Sequence, residues 1–113
     1  MKFSVLIAHY NNFEYFKQCY ESLKNQTYQN FEIILVDDCS KDGSFEKIIE
    51  LTKNDDRIKT YKNKENKGVG FTKRRCIEEA AGEICGFVDP DDALTEDALE
   101  ISIKAYKENY IAT

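Results

Sequence analysis

Three aspartates occupy four positions at Asp89-Pro90-Asp91-Asp92, immediately after the apolar run Ile84–Val88. A second acidic pair, Asp37-Asp38, ends another apolar run, Phe31–Val36. Like charges this close repel by about 1 kcal/mol in water and by several times that beside a low-dielectric wall. Oxygen donors without nitrogen or sulfur favour hard divalent cations such as Mg²⁺ or Mn²⁺, whose remaining ligands are often substrate phosphates. The alternation of Asp89 and Asp91 about Pro90 puts two carboxylates within reach of one ion. The competing reading is that the acids favour the positive end of a following helix. Thr95, as a cap, and Glu96 and Asp97, in the first turn, already suffice for that start. The earlier three are surplus to it.

Asp37-Asp38 opens the stretch DDCSKDGS (37–44), whose composition is that of a turn. An acid at a strand's carboxyl end can also accept a base N–H or a ribose hydroxyl. Both readings stay open. Lys73-Arg74-Arg75 is the densest basic cluster. It is either a solvated helical face or a source of one or two phosphate contacts. Successive helical residues point about 100° apart, so all three cannot serve one site. Gly68-Val69-Gly70 lacks the third glycine of a dinucleotide fingerprint, because Lys73 stands there. Gly68 instead frees the loop to turn. His9 is the single histidine and ends the first apolar run. With no orienting acid identifiable, it is expected to pack or to line a ligand.

The elements that must position these residues alternate in type. Short apolar runs at Phe3–Ala8, Phe31–Val36, Ile58–Tyr61 and Ile84–Val88 predict strands, the richest of them buried on both faces. Asn11 and Asn12 are good helix caps, and Phe13, Phe16, Tyr20 and Leu23 follow at helical spacing. A short helix is predicted with Phe45, Ile48, Ile49 and Thr52 inward. Another spans about 69–81, stopped by Gly82, and a last one spans 96–109 with Leu99, Ile103 and Tyr106 on one face. Strand-helix alternation with right-handed crossovers predicts a Rossmann-like three-layer α/β/α fold with a mostly parallel sheet. Ligands of such sheets bind beyond the carboxyl ends of the strands, where strand order reverses. Two of the four strand ends here are acidic.

At 113 residues and 42% apolar, the chain can bury one core, and no linker or repeat divides it. A net charge of −5 argues against general nucleic-acid binding. The four cysteines are widely spaced and there is one histidine, so neither zinc ligation nor a disulfide framework is suggested. They read as small hydrophobes or loop residues, with Cys39 the most accessible. A reduced, cytosolic setting fits this usage. No run approaches the ~20 apolar residues of a membrane span.

The motifs together resemble the opening of family 2 inverting glycosyltransferases of the GT-A fold. The matching residues are Tyr10-Asn11, Gln26-Thr27-Tyr28, the run Asp37-Asp38-Cys39-Ser40-Lys41-Asp42-Gly43-Ser44, Asn66-Lys67-Gly68, Ala80–Glu83, and Phe87-Val88-Asp89-Pro90-Asp91-Asp92. Order and spacing are kept over nearly all of the chain. The resemblance implies a nucleotide-sugar site. Asp38 would contact the base, with Asp37, Ala8, His9 and Tyr10 lining the same pocket and Gly68 in its loop. Asp89 would lie near the ribose, Asp91 on a Mn²⁺ or Mg²⁺ ion that bridges the diphosphate, and Asp92 would be a further possible ligand. Lys73 falls where the family carries a basic residue facing the nucleotide. Ala8-His9 replaces the usual Pro-Thr, Cys39 and Cys76 replace common glycines, and Arg74 replaces a frequent Asn.

By the same resemblance, residues 1–113 form one domain, the N-terminal nucleotide-sugar-binding part of a longer enzyme. That enzyme would take a sugar from a nucleoside diphosphate, UDP favoured, to a glycan or lipid-linked acceptor in surface-polysaccharide or glycan synthesis. The catalytic general base is expected beyond Thr113, leaving the fragment to bind donor and metal without transfer. The full-length protein is expected in the cytoplasm, with attachment at the inner membrane face left open. The rival reading is a signalling receiver domain with an acidic Mg²⁺ pocket, but its acid pair normally follows the first strand. Here that strand ends Ala8-His9-Tyr10.

Overall fold

The computed structural model describes residues 1–91 and 94–112. Four strands, β1 (Phe3–His9), β2 (Phe31–Asp37), β3 (Ile58–Lys62) and β4 (Ile84–Phe87), alternate with four helices. These are α1 (Phe13–Lys24), α2 (Ser44–Thr52), α3 (Val69–Glu79) and α4 (Ala98–Ala112). The sheet runs β3-β2-β1-β4, and every neighbouring pair is parallel. Strand order therefore reverses between β1 and β4.

β1 and β2 are apolar on both faces because each face is covered. Phe3, Val5 and Ile7 of β1 and Phe31, Ile33 and Leu35 of β2 form one core with Phe16, Cys19, Tyr20 and Leu23 of α1. Ile48 of α2 and Leu99 and Ile103 of α4 complete it. The intervening residues Leu6, Ile34 and Val36 face the other way and meet Cys76 of α3. Alternate side chains of a strand point to opposite faces, so one apolar run supplies both layers. This is the three-layer α/β/α arrangement.

Several local expectations need correction. Ile49 is exposed, because Ser44, Ile48 and Thr52 at four-residue steps form the inward line of α2; Phe45, half-buried, packs against the core as expected. Tyr106 is exposed as well. Thr95 does not cap α4. The Asp97 carbonyl accepts the Ile101 N–H at 2.9 Å, so Asp97 is the residue half inside the helix. Gly82 does not terminate α3 in a left-handed conformation, since the helix ends at Glu79 with Ala80 extended. A Cβ on Gly82 would come within 2.8 Å of the Ser4 nitrogen and 2.9 Å of the Lys2 carbonyl. Gly82 is there so that the chain can enter β4 close against β1.

Buried Glu32 helps fix that entry. It accepts hydrogen bonds from Ser4 Oγ at 2.6 Å and from the Ala81 N–H at 2.7 Å, with Lys2 and Lys59 each 3.7 Å away. The far end of β4 is held by the Val88 N–H on the Leu6 carbonyl at 2.9 Å. The acids that follow thus leave the sheet beside the end of β1.

Candidate functional site

The register of β1 on β2 pairs His9 with Asp37, the last residue of each strand. Their side chains meet directly: the Asp37 carboxylate accepts from His9 Nδ1 at 2.8 Å, and both are buried. The same carboxylate accepts from Ser40 Oγ at 2.6 Å and from the Ser40 N–H at 2.7 Å. Burial alone would raise the Asp37 carboxyl, but the bonds from His9 and Ser40 together outweigh it and hold it below the ordinary carboxylate range. The orienting acid that the sequence did not reveal for His9 is therefore Asp37. The histidine ring packs edge-on against Phe16, and its buried Nε2 has no hydrogen-bond partner among the described residues.

Ser40 passes the connection on. Its Oγ accepts the Asn11 N–H at 2.7 Å, Asn11 Oδ1 accepts the Lys41 N–H at 3.0 Å, and Asp42 accepts the Asn12 N–H at 2.7 Å. Hydrogen bonds from Ser44 and from Asn12 bring Asp42 down to about 2. Neither asparagine side chain caps α1 as the sequence suggested. Asn11 and Asn12 are instead left-handed, a conformation asparagine tolerates better than most residues. Cys39 is left-handed too, at φ 61°, a conformation that glycine adopts at less cost. These bonds clamp the loop after β1 to the loop after β2 and fix the base of Tyr10.

Asp38 organises the third loop. Its carboxylate accepts from Asn63 Nδ2 at 2.9 Å, the Lys67 N–H at 2.7 Å and the Gly68 N–H at 2.9 Å. Asn63 is held in turn by Arg75 at 2.9 Å and contacts Thr72 Oγ1 at 3.0 Å. Gly68 has φ 91°, a conformation open to glycine at little cost, which lets the loop enter α3. The result is a cavity of about 280 Å³ lined by Ala8, His9, Tyr10, Asp38, Asn66, Gly68, Val69 and Thr72. Five of these were singled out from the sequence. Asn66, Val69 and Thr72 were not, although Asn66 belongs to the Asn66-Lys67-Gly68 motif. Asp37 lies beneath the cavity and does not line it.

Asp89 and Asp91 are exposed beyond the end of β4. Asp92 lies outside the described residues. The donor set is thus two exposed carboxylates, and no group of three His, Cys, Asp or Glu side chains gathers around one point among the described residues. Two carboxylates fit a hard cation that draws its other ligands from a phosphate-bearing partner. Lys73 sits over the ring of Phe87 at 5.2 Å, beside the end of β4. Arg75 turns toward Asn63 and Arg74 is exposed, so the basic triplet diverges as helix geometry requires.

A larger cavity, about 390 Å³, lies along α3 and the loop after β3. Its wall mixes Lys64, Lys67, Arg74 and Arg75 with Glu78 and Glu79 and includes no acid from a strand end. No disulfide joins the cysteines among the described residues; Cys19 and Cys76 are buried, and Cys85, not Cys39, is the most exposed.

The family model described as glycosyl transferase family 2 matches residues 4–113. The putative glycosyltransferase EpsH of Bacillus subtilis is 43% identical over 97 residues, covering 86% of this chain and 28% of that protein. In Campylobacter jejuni, the GalNAc(5)-diNAcBac-PP-undecaprenol beta-1,3-glucosyltransferase is 34% identical over 110 residues, covering 96% and 36%. Among solved structures, S. aureus TarS 1-349 in complex with UDP-GlcNAc superposes with a TM-score of 0.87 at 32% identity, over 97% of this chain and 32% of that one. The chain spans less than half the length of the curated relatives it matches.

Proposed function

The chain belongs to glycosyl transferase family 2, and from that membership we propose that it forms the donor-binding domain of a longer enzyme. That enzyme transfers a sugar from a nucleoside diphosphate to an acceptor hydroxyl. The receiver-domain reading has no support in these relationships. The observation that carries the proposal is the cavity that Asp38 organises at the ends of β1 and β2. It lies next to the strand-order reversal from which Asp89 and Asp91 emerge.

In this reading the base enters between Tyr10 and the Gly68 loop. Asp38 has bonds to three donors but still offers Oδ2, which takes only the Gly68 N–H, to a base N–H. Ala8, His9 and Tyr10 line the same wall above Asp37. Asp89 faces the ribose. Asp89 and Asp91, with Asp92 as a further ligand by the resemblance, would hold Mn²⁺ or Mg²⁺ for the diphosphate, and Lys73 would approach from α3. When bound, the cation supplies Lewis-acid stabilisation of the leaving diphosphate. The general base is assigned to no residue of this chain.

UDP is favoured as the nucleotide, in keeping with the UDP and UDP-GlcNAc complexes of TarS. A glycan or lipid-linked acceptor is consistent with the undecaprenol-linked substrate in the C. jejuni relative's name. A place at the inner membrane face in surface-polysaccharide synthesis would follow. No helix among the described residues is long and apolar enough to cross a membrane.

Calorimetric titration with UDP in the presence of Mn²⁺ tests the cation assignment. Asp91→Ala should weaken binding by about tenfold, roughly 1.4 kcal/mol, with little change when Mn²⁺ is omitted. Equal Mn²⁺-dependent affinity in wild type and variant would overturn it.

A further inference from the structure

Arg75 ends the basic triplet of α3, yet its guanidinium turns inward along the end of β3. It is half-buried, with its central carbon 5.5 Å from the centre of the Tyr61 ring. One nitrogen, Nη1, donates to the Lys62 carbonyl at 3.2 Å and to Asn63 Oδ1 at 2.9 Å. Arginine carries donors only, so the oxygen of the Asn63 amide must be the end that faces it. Asn63, buried just after β3, therefore points its Nδ2 the other way. That nitrogen donates to Asp38 Oδ1 at 2.9 Å and to Thr72 Oγ1 at 3.0 Å. Thr72 can accept there because its own hydroxyl donates to the Gly68 carbonyl at 2.8 Å. The backbone N–H of Asn63 is taken by the Asp37 carbonyl at 2.8 Å.

Donation thus runs in one direction, from Arg75 through Asn63 to Asp38. The two Asp38 oxygens are not equivalent at its end. Oδ1 accepts from Asn63 and from the Lys67 N–H, whereas Oδ2 accepts only the Gly68 N–H. The bonds on Oδ1 fix the rotation of the carboxylate, and that rotation decides where the open lone pair of Oδ2 points. Asp38, Gly68 and Thr72 line the nucleotide cavity, while Asn63 and Arg75 line the larger one. Without Arg75 the buried Asn63 Oδ1 has no donor among the described residues. The amide is then drawn toward water in the larger cavity and away from Asp38.

We propose that Arg75 is a positioning residue for recognition of the nucleotide base, acting through Asn63 on the Asp38 carboxylate. The inference rests on the donor-binding reading given above, in which Asp38 Oδ2 accepts a base N–H. Two ligands are titrated calorimetrically in the presence of Mn²⁺: UDP, and UDP methylated at N3 of its uracil, which has no base N–H to donate. The proteins are wild type, Arg75→Met and Arg75→Gln, and the readout is the ratio of the two affinities. A smaller folded fraction or a general weakening of the site lowers both affinities alike and leaves the ratio unchanged.

Wild type is expected to prefer UDP by about tenfold or more, and Arg75→Met by only about threefold. Arg75→Gln, whose shorter side chain stops short of Asn63, should resemble Arg75→Met and decides the matter if that variant does not fold. A folded variant that keeps the full wild-type ratio overturns the role of Arg75 alone. A folded variant that binds neither ligand overturns it too, as the mark of general damage. A wild type that binds both ligands alike, or neither, overturns the base reading of Asp38, and this inference with it.

Discussion

Asp38→Ala abolishes measurable UDP binding and lowers stability by about 2–4 kcal/mol, because one carboxylate takes bonds from three donors in the loop after β3. A hydrogen bond to a charged group contributes about 1.5–3 kcal/mol, and such terms do not simply add. The Lys67 and Gly68 amides belong to a partly exposed loop and can find water once released, which limits the loss of stability. Function has no such recourse. Gly68, Asn66 and Val69 line the cavity, and their loop has lost its anchor. Asp38→Asn fares little better, since its amide NH₂ must face one of the N–H donors. Urea denaturation and UDP calorimetry together check the result. A variant that binds UDP as wild type does would show that the loop keeps its place without Asp38.

Asp37→Ala has the opposite profile, with the larger effect on folding. It leaves His9 Nδ1, Ser40 Oγ and the Ser40 N–H without their acceptor at a fully buried point. Unsatisfied buried donors cost about 1–3 kcal/mol each, so a loss of about 3–5 kcal/mol is expected, a large share of a small domain's total. The same residue gives stability a pH dependence. Its carboxyl is held lower in the folded than in the unfolded chain, so its contribution is fully present above the unfolded value of about 4. It is lost as pH falls through the depressed folded value. Wild type should therefore lose stability on acidification below about pH 4, and Asp37→Asn should lose less over that range while starting lower. Denaturation midpoints across the acid range measure both. A variant with an unchanged acid slope would place that proton uptake elsewhere.

The two adjacent aspartates thus do different work, and sequence alone could not separate them. Both end an apolar strand, and by residue type alone turn chemistry explained the pair somewhat better than ligand binding. The distinction comes from the pleat: Asp37 points into the layer beneath α1, where His9 waits, and Asp38 points across to the loop after β3. The His9–Asp37 contact was nevertheless recoverable. β1 and β2 each run seven residues from a phenylalanine, and parallel in-register pairing brings their last residues together. The strands and their parallel order were legible because continuous apolar runs must be covered on both faces. Helix ends were less so. Thr95 and Gly82 each fit a common end signal, but Asp97 begins α4, and Gly82 answers a close approach to Ser4. Asn63 and Thr72 were missed as supports because a buried polar residue acquires its meaning only from the partners that tertiary structure brings to it.

The central claim is that UDP and a divalent cation seat on the Asp38 cavity and the acidic strand end. Backbone amide NMR spectra of the chain, recorded with UDP and diamagnetic Mg²⁺, test it most directly. The account predicts that the largest shifts fall on Ala8, Tyr10, Asp38, Gly68 and Thr72, with further shifts at Asp89 and Asp91 that require Mg²⁺. Shifts confined to Lys64, Phe71, Arg74 and Glu78 around the larger cavity, or none at all, would contradict it.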